Sequence, residues 1–174
     1  ALADFIIGDP WVTPLSHASD YSETLALMPH CYQPNDDKRM LPAAVRRSDV
    51  GLPEDVIVLC SFNQTVKYGP ALFTLWSKVM KTVPDSVLWL LEDTDDQIAA
   101  RLRHEMVARG IAGERIIFAP FVSQAQHMAR LQLADIALDT FPYNSHTTAS
   151  DALWAGVPLV TLSGETFASR VARG

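Results

Sequence analysis

From Gly51 onward, short apolar runs alternate with stretches in which apolar residues recur every three or four positions. The two periods assign strands and helices in turn. Val56–Ser61, Ser86–Leu91, Arg115–Phe118, Ile136–Leu138 and the run that begins at Leu159 read as strands. Between and after them, helices are expected over Pro70–Thr82, Asp95–Arg109, Gln124–Leu133, Thr147–Ala155 and about Glu165–Arg173. Strands this apolar are buried on both faces, and their alternation with helices implies a parallel sheet built from right-handed crossovers. The predicted fold class is therefore α/β, a Rossmann-like parallel sheet flanked by helices. Boundary signals agree. Thr94 with Gln97 and Ser123 with Gln126 fit capping boxes, Pro70 suits a first helical position, and Gly110 suits a helix exit. Gly156 and Pro158 close the helix that starts at Thr147.

Residues 1–50 carry a different pattern. Asp4–Gly8 reads as a buried strand and Thr24–Pro29 as a second, short one, but Pro10, Pro14, Pro34 and Pro42 stand among many polar residues. The expected division is a connector over 1–50 and a Rossmann-like domain over 51–174. At 174 residues and 48% hydrophobic, the chain can bury one sizeable core. A net charge of −6 without a Lys/Arg cluster beyond Arg46-Arg47 argues against nucleic acid as a partner. No apolar run approaches the roughly 20 residues that span a bilayer, and Ala1-Leu2-Ala3-Asp4 lacks the basic flank of a signal peptide, so no membrane partner and a cytoplasmic location are expected.

Several chemistries lack their sequence support. Cys31 and Cys60 and the five histidines form no metal-ligand spacing, and Cys60 sits in an apolar run as a small core residue. Neither the dinucleotide fingerprint nor the P-loop pattern is present. Asp93-Thr94-Asp95-Asp96 resembles a metal motif but reads better as the acidic first turn of the helix it precedes. Trp76, Trp89 and Trp154 lie in apolar contexts as core residues, and Trp11 has no assignment.

Ligands of such sheets bind beyond the carboxyl ends of the strands, so the loops that follow strands carry the candidates. In the loop after the first regular strand, Gln64 and Lys67 can reach a pyrophosphate. The helix that begins at Thr147 offers free backbone N–H groups, a positive dipole end and the hydroxyls of Thr147 and Thr148, a setting suited to nucleotide phosphates. One turn on, Asp151 can accept hydrogen bonds from a ribose. A third loop, Pro120–His127, is also polar.

The run His146-Thr147-Thr148, Asp151, Leu153-Trp154-Ala155-Gly156, Gly164-Glu165-Thr166 and Ala168-Ser169-Arg170-Val171 resembles the O-linked N-acetylglucosamine transferases of bacterial type, within the O-GlcNAc transferase and Spindly-like family. Phe62-Asn63-Gln64-x-x-Lys67, Gly51-Leu52-Pro53-Glu54-Asp55 and Ser86–Leu91 extend the resemblance over nearly the whole chain. It implies the nucleotide-sugar half of an inverting GT-B enzyme that moves N-acetylglucosamine from UDP-GlcNAc to Ser and Thr hydroxyls of proteins. It further implies that Gln64, Lys67, His146, Thr147, Thr148 and Asp151 hold the donor, and that the base lies against the Val122 backbone, Gln124 and His127. Lys67 offsets charge on the departing diphosphate, so no metal and no cofactor is expected. Gln124 stands where the animal enzymes carry lysine. Residues 4–9 correspond to the last strand of a preceding catalytic domain, and tetratricopeptide repeats are expected upstream; the chain alone is expected to fold, bind donor and remain catalytically silent. A GDP-fucose-dependent protein O-fucosyltransferase of the Spindly type and a non-catalytic nucleotide-sugar-binding module are the alternatives.

Overall fold

The computed structural model describes residues 3–174; Ala1 and Leu2, half of the start that lacks a basic flank, lie outside the described residues. The chain opens with a two-stranded parallel sheet, β1 (Phe5–Gly8) beside β2 (Thr24–Leu27). The expectation of a buried first strand is corrected: Phe5 and Ile7 are 63% and 60% exposed, because a two-stranded ribbon lacks a second layer on that face. Asp9, fully buried, closes the turn after β1. Its carboxylate accepts the N–H groups of Trp11 (2.9 Å), Val12 (2.8 Å) and Tyr32 (3.0 Å).

The main sheet follows. Its strands are β3 (Ile57–Ser61), β4 (Ser86–Leu91), β5 (Ile116–Ala119), β6 (Ile136–Leu138) and β7 (Leu159–Val160), all parallel, in the order β5-β4-β3-β6-β7. The helices are α1 (Pro70–Thr82), α2 (Asp96–Val107), α3 (Gln124–Leu131) and α4 (Thr147–Trp154). Side chains of a strand alternate between faces, and here the alternation sorts the core into two layers. Val58 and Cys60 of β3 and Val87 and Trp89 of β4 pack with Met128 and Leu131 of α3 and Ala152 of α4. Leu59, Leu88 and Leu90 face the other way, onto Leu72, Phe73, Trp76 and Met80 of α1 and Leu102 and Met106 of α2. This is the helix–sheet–helix sandwich the sequence pattern predicts. Arg115 ties one end of it: its guanidinium donates to the carbonyls of Met80, Val83 and Ser86, joining the exit of α1 to the entry of β4.

Four local expectations change. The cap of α2 is Asp95, whose carboxylate accepts the Gln97 N–H at 2.9 Å, and not Thr94; a carboxylate at a helix N-terminus gains from the dipole as well as the hydrogen bond. Asp93 instead accepts the Thr65 hydroxyl at 2.6 Å. The expected last helix is two separate 3₁₀ turns, Phe167–Ser169 and Val171–Arg173, because Thr166 and Ser169 exchange side-chain and backbone hydrogen bonds that close a tight turn in place of a helical ladder. Trp154 is half-exposed rather than core; the Arg39 guanidinium covers its ring at 5.6 Å. The predicted cap at Ser123 and the exits at Gly110 and Gly156, both with φ of 81°, stand as expected.

Trp76 is 1% exposed and meets Tyr68 and Phe73 edge-on, at centroid distances of 5.2 and 5.9 Å. Truncation of such a residue removes its transfer energy and leaves a cavity. Trp76→Ala is expected to cost about 3–5 kcal/mol in urea unfolding, whereas Leu75→Ala, on the exposed side of the same helix, costs under about 1 kcal/mol.

Candidate functional site

The strand order reverses at β3, since the chain leaves it first toward β4 and β5 and returns on its other side as β6. The loops after β3 and β6 therefore part at their carboxyl ends and open a crevice, the place where ligands of open α/β sheets bind. The buried side chain of Asn63 spans that crevice. Its amide nitrogen donates to Ser145 Oγ (2.7 Å), while its Oδ1 accepts from Lys67 Nζ (3.1 Å) and from Thr148 Oγ1 (3.1 Å).

The far wall is the loop 139–146. Asp139 fixes it by accepting the N–H groups of Thr140 (2.7 Å) and Ser145 (2.6 Å) on one oxygen and the Thr161 hydroxyl (2.6 Å) on the other. Asn144, fully buried, donates to the Thr140 carbonyl at 2.9 Å. So held, the Asn144 carbonyl accepts a 2.9 Å hydrogen bond from Lys67 Nζ, and the Tyr143 ring lies 4.2 Å from the same ammonium. Partial burial pushes the Lys67 pKa down, against the pull of Asp139. Lys67 is thus a cation held by neutral oxygens and an aromatic face, with no carboxylate in contact among the described residues.

His146 is the N-cap of α4 but gives it no side-chain hydrogen bond. The N–H groups of Thr147 and Thr148 find no acceptor among the described residues, and the buried Nε2 of His146 has no hydrogen-bond partner there either. Desolvation and the nearby Lys67 lower the His146 pKa, with Asp139 acting the other way.

A cleft of about 200 Å³ runs from this helix start to the loop after β5, lined among others by Val122, Gln124, His127, Arg130, Thr148 and Asp151. The structure therefore brings Val122, Gln124, His127, Thr148 and Asp151 together. Lys67 and His146 stand beside them through Asn63 and the α4 cap. Gln64, exposed on the flank next to Asp93 and Thr94, and Thr147, on the opposite side of α4, line neighbouring depressions instead. The guanidinium of Arg130, 4% exposed, stands 3.3 Å from His127 Nδ1. A guanidinium can only donate, so Nδ1 accepts and the ring proton sits on Nε2. Burial, then the charge of Arg130, lower the His127 pKa, which favours this neutral form, although Asp151 opposes them.

The sequence assigns no site role to Asn63, Asn144, Tyr143 or Arg130. For Asn63 a signal existed, since it directly precedes Gln64 in a loop already marked as functional. Nothing local distinguishes Asn144 or Arg130; their roles come from partners far along the chain.

Residues 43–174 match the sequence model of glycosyl transferase family 41. The chain belongs to glycosyl transferase family 41. Among the similar members is the probable UDP-N-acetylglucosamine–peptide N-acetylglucosaminyltransferase SEC of Arabidopsis thaliana, 41% identical over 97% of this chain and 18% of its own length. A Caenorhabditis elegans enzyme, UDP-N-acetylglucosamine–peptide N-acetylglucosaminyltransferase, is 44% identical over 72% of this chain and 11% of its own. A solved structure of a Thermobaculum terrenum O-GlcNAc transferase mutant superposes with a TM-score of 0.83 at 31% identity, over 97% of this chain and 32% of that one. The parallel sheet flanked by helices matches one Rossmann-like half of a GT-B fold. This family 41 chain thus spans less than a fifth of the length of these two sequence relatives.

Two depressed histidines give the family 41 site a pH signature. With folded pKa values below the ordinary 6.5, His127 and His146 bind fewer protons in the native state than unfolded. The stability they contribute is complete above about pH 6.5 and is lost as the pH falls through the lowered folded values. Urea midpoints should drop between about pH 7.5 and about pH 5.5, and the drop should be smaller in a His127→Gln/His146→Gln double variant.

Proposed function

We propose that this chain is the donor-binding part of an inverting protein glycosyltransferase that moves N-acetylglucosamine from UDP-GlcNAc to Ser and Thr hydroxyls. The observation that carries this reading is the single crevice at the β3/β6 switch point in which an amide-held lysine, an open helix start and a polar base-sized cleft adjoin. The names of the SEC and Caenorhabditis elegans relatives support the donor and the acceptor class.

In this reading the diphosphate rests against Lys67, the free N–H groups at the start of α4 and the Thr148 hydroxyl, with Gln64 at the flank, His146 beside it and Thr147 contributing its backbone N–H. Asp151 takes the ribose. The Val122 backbone, Gln124 and the Nε2–H of His127 take the base. The acceptor oxygen attacks the anomeric carbon, the bond from that carbon to the β-phosphate oxygen breaks with its electron pair leaving on UDP, and inversion follows. Lys67 meets the charge that grows on the leaving diphosphate, so its contribution increases toward the transition state and no metal or cofactor is required. The acceptor's proton goes to a group outside this chain, in the preceding domain. Residues 1–50 act as the connector to a preceding catalytic domain, the full protein carries tetratricopeptide repeats, and it works in the cytoplasm. No helix among the described residues is long and apolar enough to cross a membrane.

Two measurements test the reading. UDP should bind residues 1–174 more tightly than GDP by about 1–3 kcal/mol, the discrimination of a pocket that hydrogen-bonds one base. Equal or reversed affinities in calorimetry would favour the fucosyl donor. In the full-length enzyme, Lys67→Ala should lower kcat by a larger factor than it weakens donor binding; unchanged turnover would leave Lys67 no part in the transfer.

A further inference from the structure

Asp151 stands between two depressions. On one side is the cleft of Val122, Gln124, His127 and Thr148; on the other, a larger hollow of about 530 Å³ in which α4 faces the connector residues 31–39. The carboxylate divides accordingly. Its Oδ1 forms a 2.7 Å ion pair with Arg39 Nη1 from the connector side, and its Oδ2 lies 3.5 Å from Gln124 Nε2 on the cleft side. The first contact is short and charge-assisted, whereas the second is at the limit of a hydrogen bond and easily exchanged for a ligand hydroxyl. The carboxylate is only 8% exposed, and a buried anion needs such a partner to remain charged and in place. Arg39 is itself held, with its guanidinium over the Trp154 ring.

Resting on the donor reading above, we propose that Arg39 is a positioning residue of the nucleotide site, which grips the Asp151 carboxylate from behind so that Oδ2 faces the ribose hydroxyls. The residue lies outside the span 43–174 that matches the family and 112 positions from its partner, so the connector supplies part of the donor site. Replacement of Arg39 leaves the carboxylate free to turn toward solvent on the connector side. Ribose recognition then falls, whereas the phosphate contacts do not involve Asp151 and the base keeps the Val122 backbone and His127, losing at most the long Gln124 contact.

The test compares UDP with 2′,3′-dideoxy-UDP by calorimetry on residues 1–174. Wild type should prefer UDP by about tenfold, the value of one hydrogen bond to a charged group. Arg39→Ala should remove most of that preference with little change in dideoxy-UDP affinity, Arg39→Lys should restore part of it, and Arg39→Ala should add nothing in an Asp151→Asn background. A wild type that binds neither nucleotide, or does not discriminate between them, overturns the donor reading and this one with it. Wild-type discrimination that survives in Arg39→Ala, equal loss for both ligands, or tighter UDP binding by Arg39→Ala overturns the positioning role alone; the last would make Arg39 a plug of the site.

Discussion

A buried amide left without partners is costly, and the satisfaction of Asn63 is what closes the carboxyl edge of this sheet into a crevice. Each unpaired polar atom there would cost about 1–3 kcal/mol, so the loop after β3, the loop after β6 and the start of α4 are drawn to one side chain. The consequence is geometric. Lys67 reaches the crevice because Asn63 Oδ1 and the Asn144 carbonyl both accept from it, and the Asn144 carbonyl is available because Asp139 has fixed the turn that carries it. A flexible lysine is thereby converted into a placed cation, with the ordering entropy of its long side chain already lost before any ligand arrives. Among the described residues no carboxylate pairs directly with the ammonium, although the charge of Asp139 acts on it from a distance.

The same economy explains the cleft beside it. Arg130, buried under Phe62 and Trp89, donates to the Pro120 carbonyl at 2.6 Å and so holds the loop after β5 while it faces His127. One cation therefore sets both the path of the Val122–Gln124 segment and the tautomer of the imidazole. The two walls of the crevice are thus built alike, each with a basic residue held by a neutral carbonyl oxygen of a neighbouring loop.

Period and punctuation made the scaffold legible. Pro70–Thr82 and Ser86–Leu91 have the bounds the pattern assigns, because a first-turn proline and an unbroken apolar run leave few alternatives. The candidate loops were legible too, since the parallel topology dictates which strand ends bear ligands. What escaped is long-range or depends on competition between equals. Whether Thr94 or Asp95 caps α2 is a contest between adjacent residues with similar preferences. The end of the chain reads as helical in composition, but the Thr166–Ser169 exchange is stronger than the propensity of so short a segment. Trp154 reads as core because its neighbours are apolar, and only the fold shows that it lies on the outer face of α4 beneath Arg39.

A boundary at residue 50 follows from composition, and prolines with exposed polar residues do set the first fifty positions apart. Contacts cross it nonetheless. Gln132 of the loop after α3 donates to the Pro42 carbonyl, Arg170 donates to the Val12 carbonyl, Tyr32 meets Phe167 edge-on at 5.4 Å, and Arg39 pairs with Asp151. Each of these joins a connector residue to the second half of the sheet, the half that carries α4. Local patterns register how a segment folds on itself, and beyond its two-stranded ribbon and the contacts of Asp9 this segment folds little on itself. Its contribution is made through single side chains that reach a distant element, so it is invisible to periodicity and appears only once the sheet has brought residue 151 within reach of residue 39.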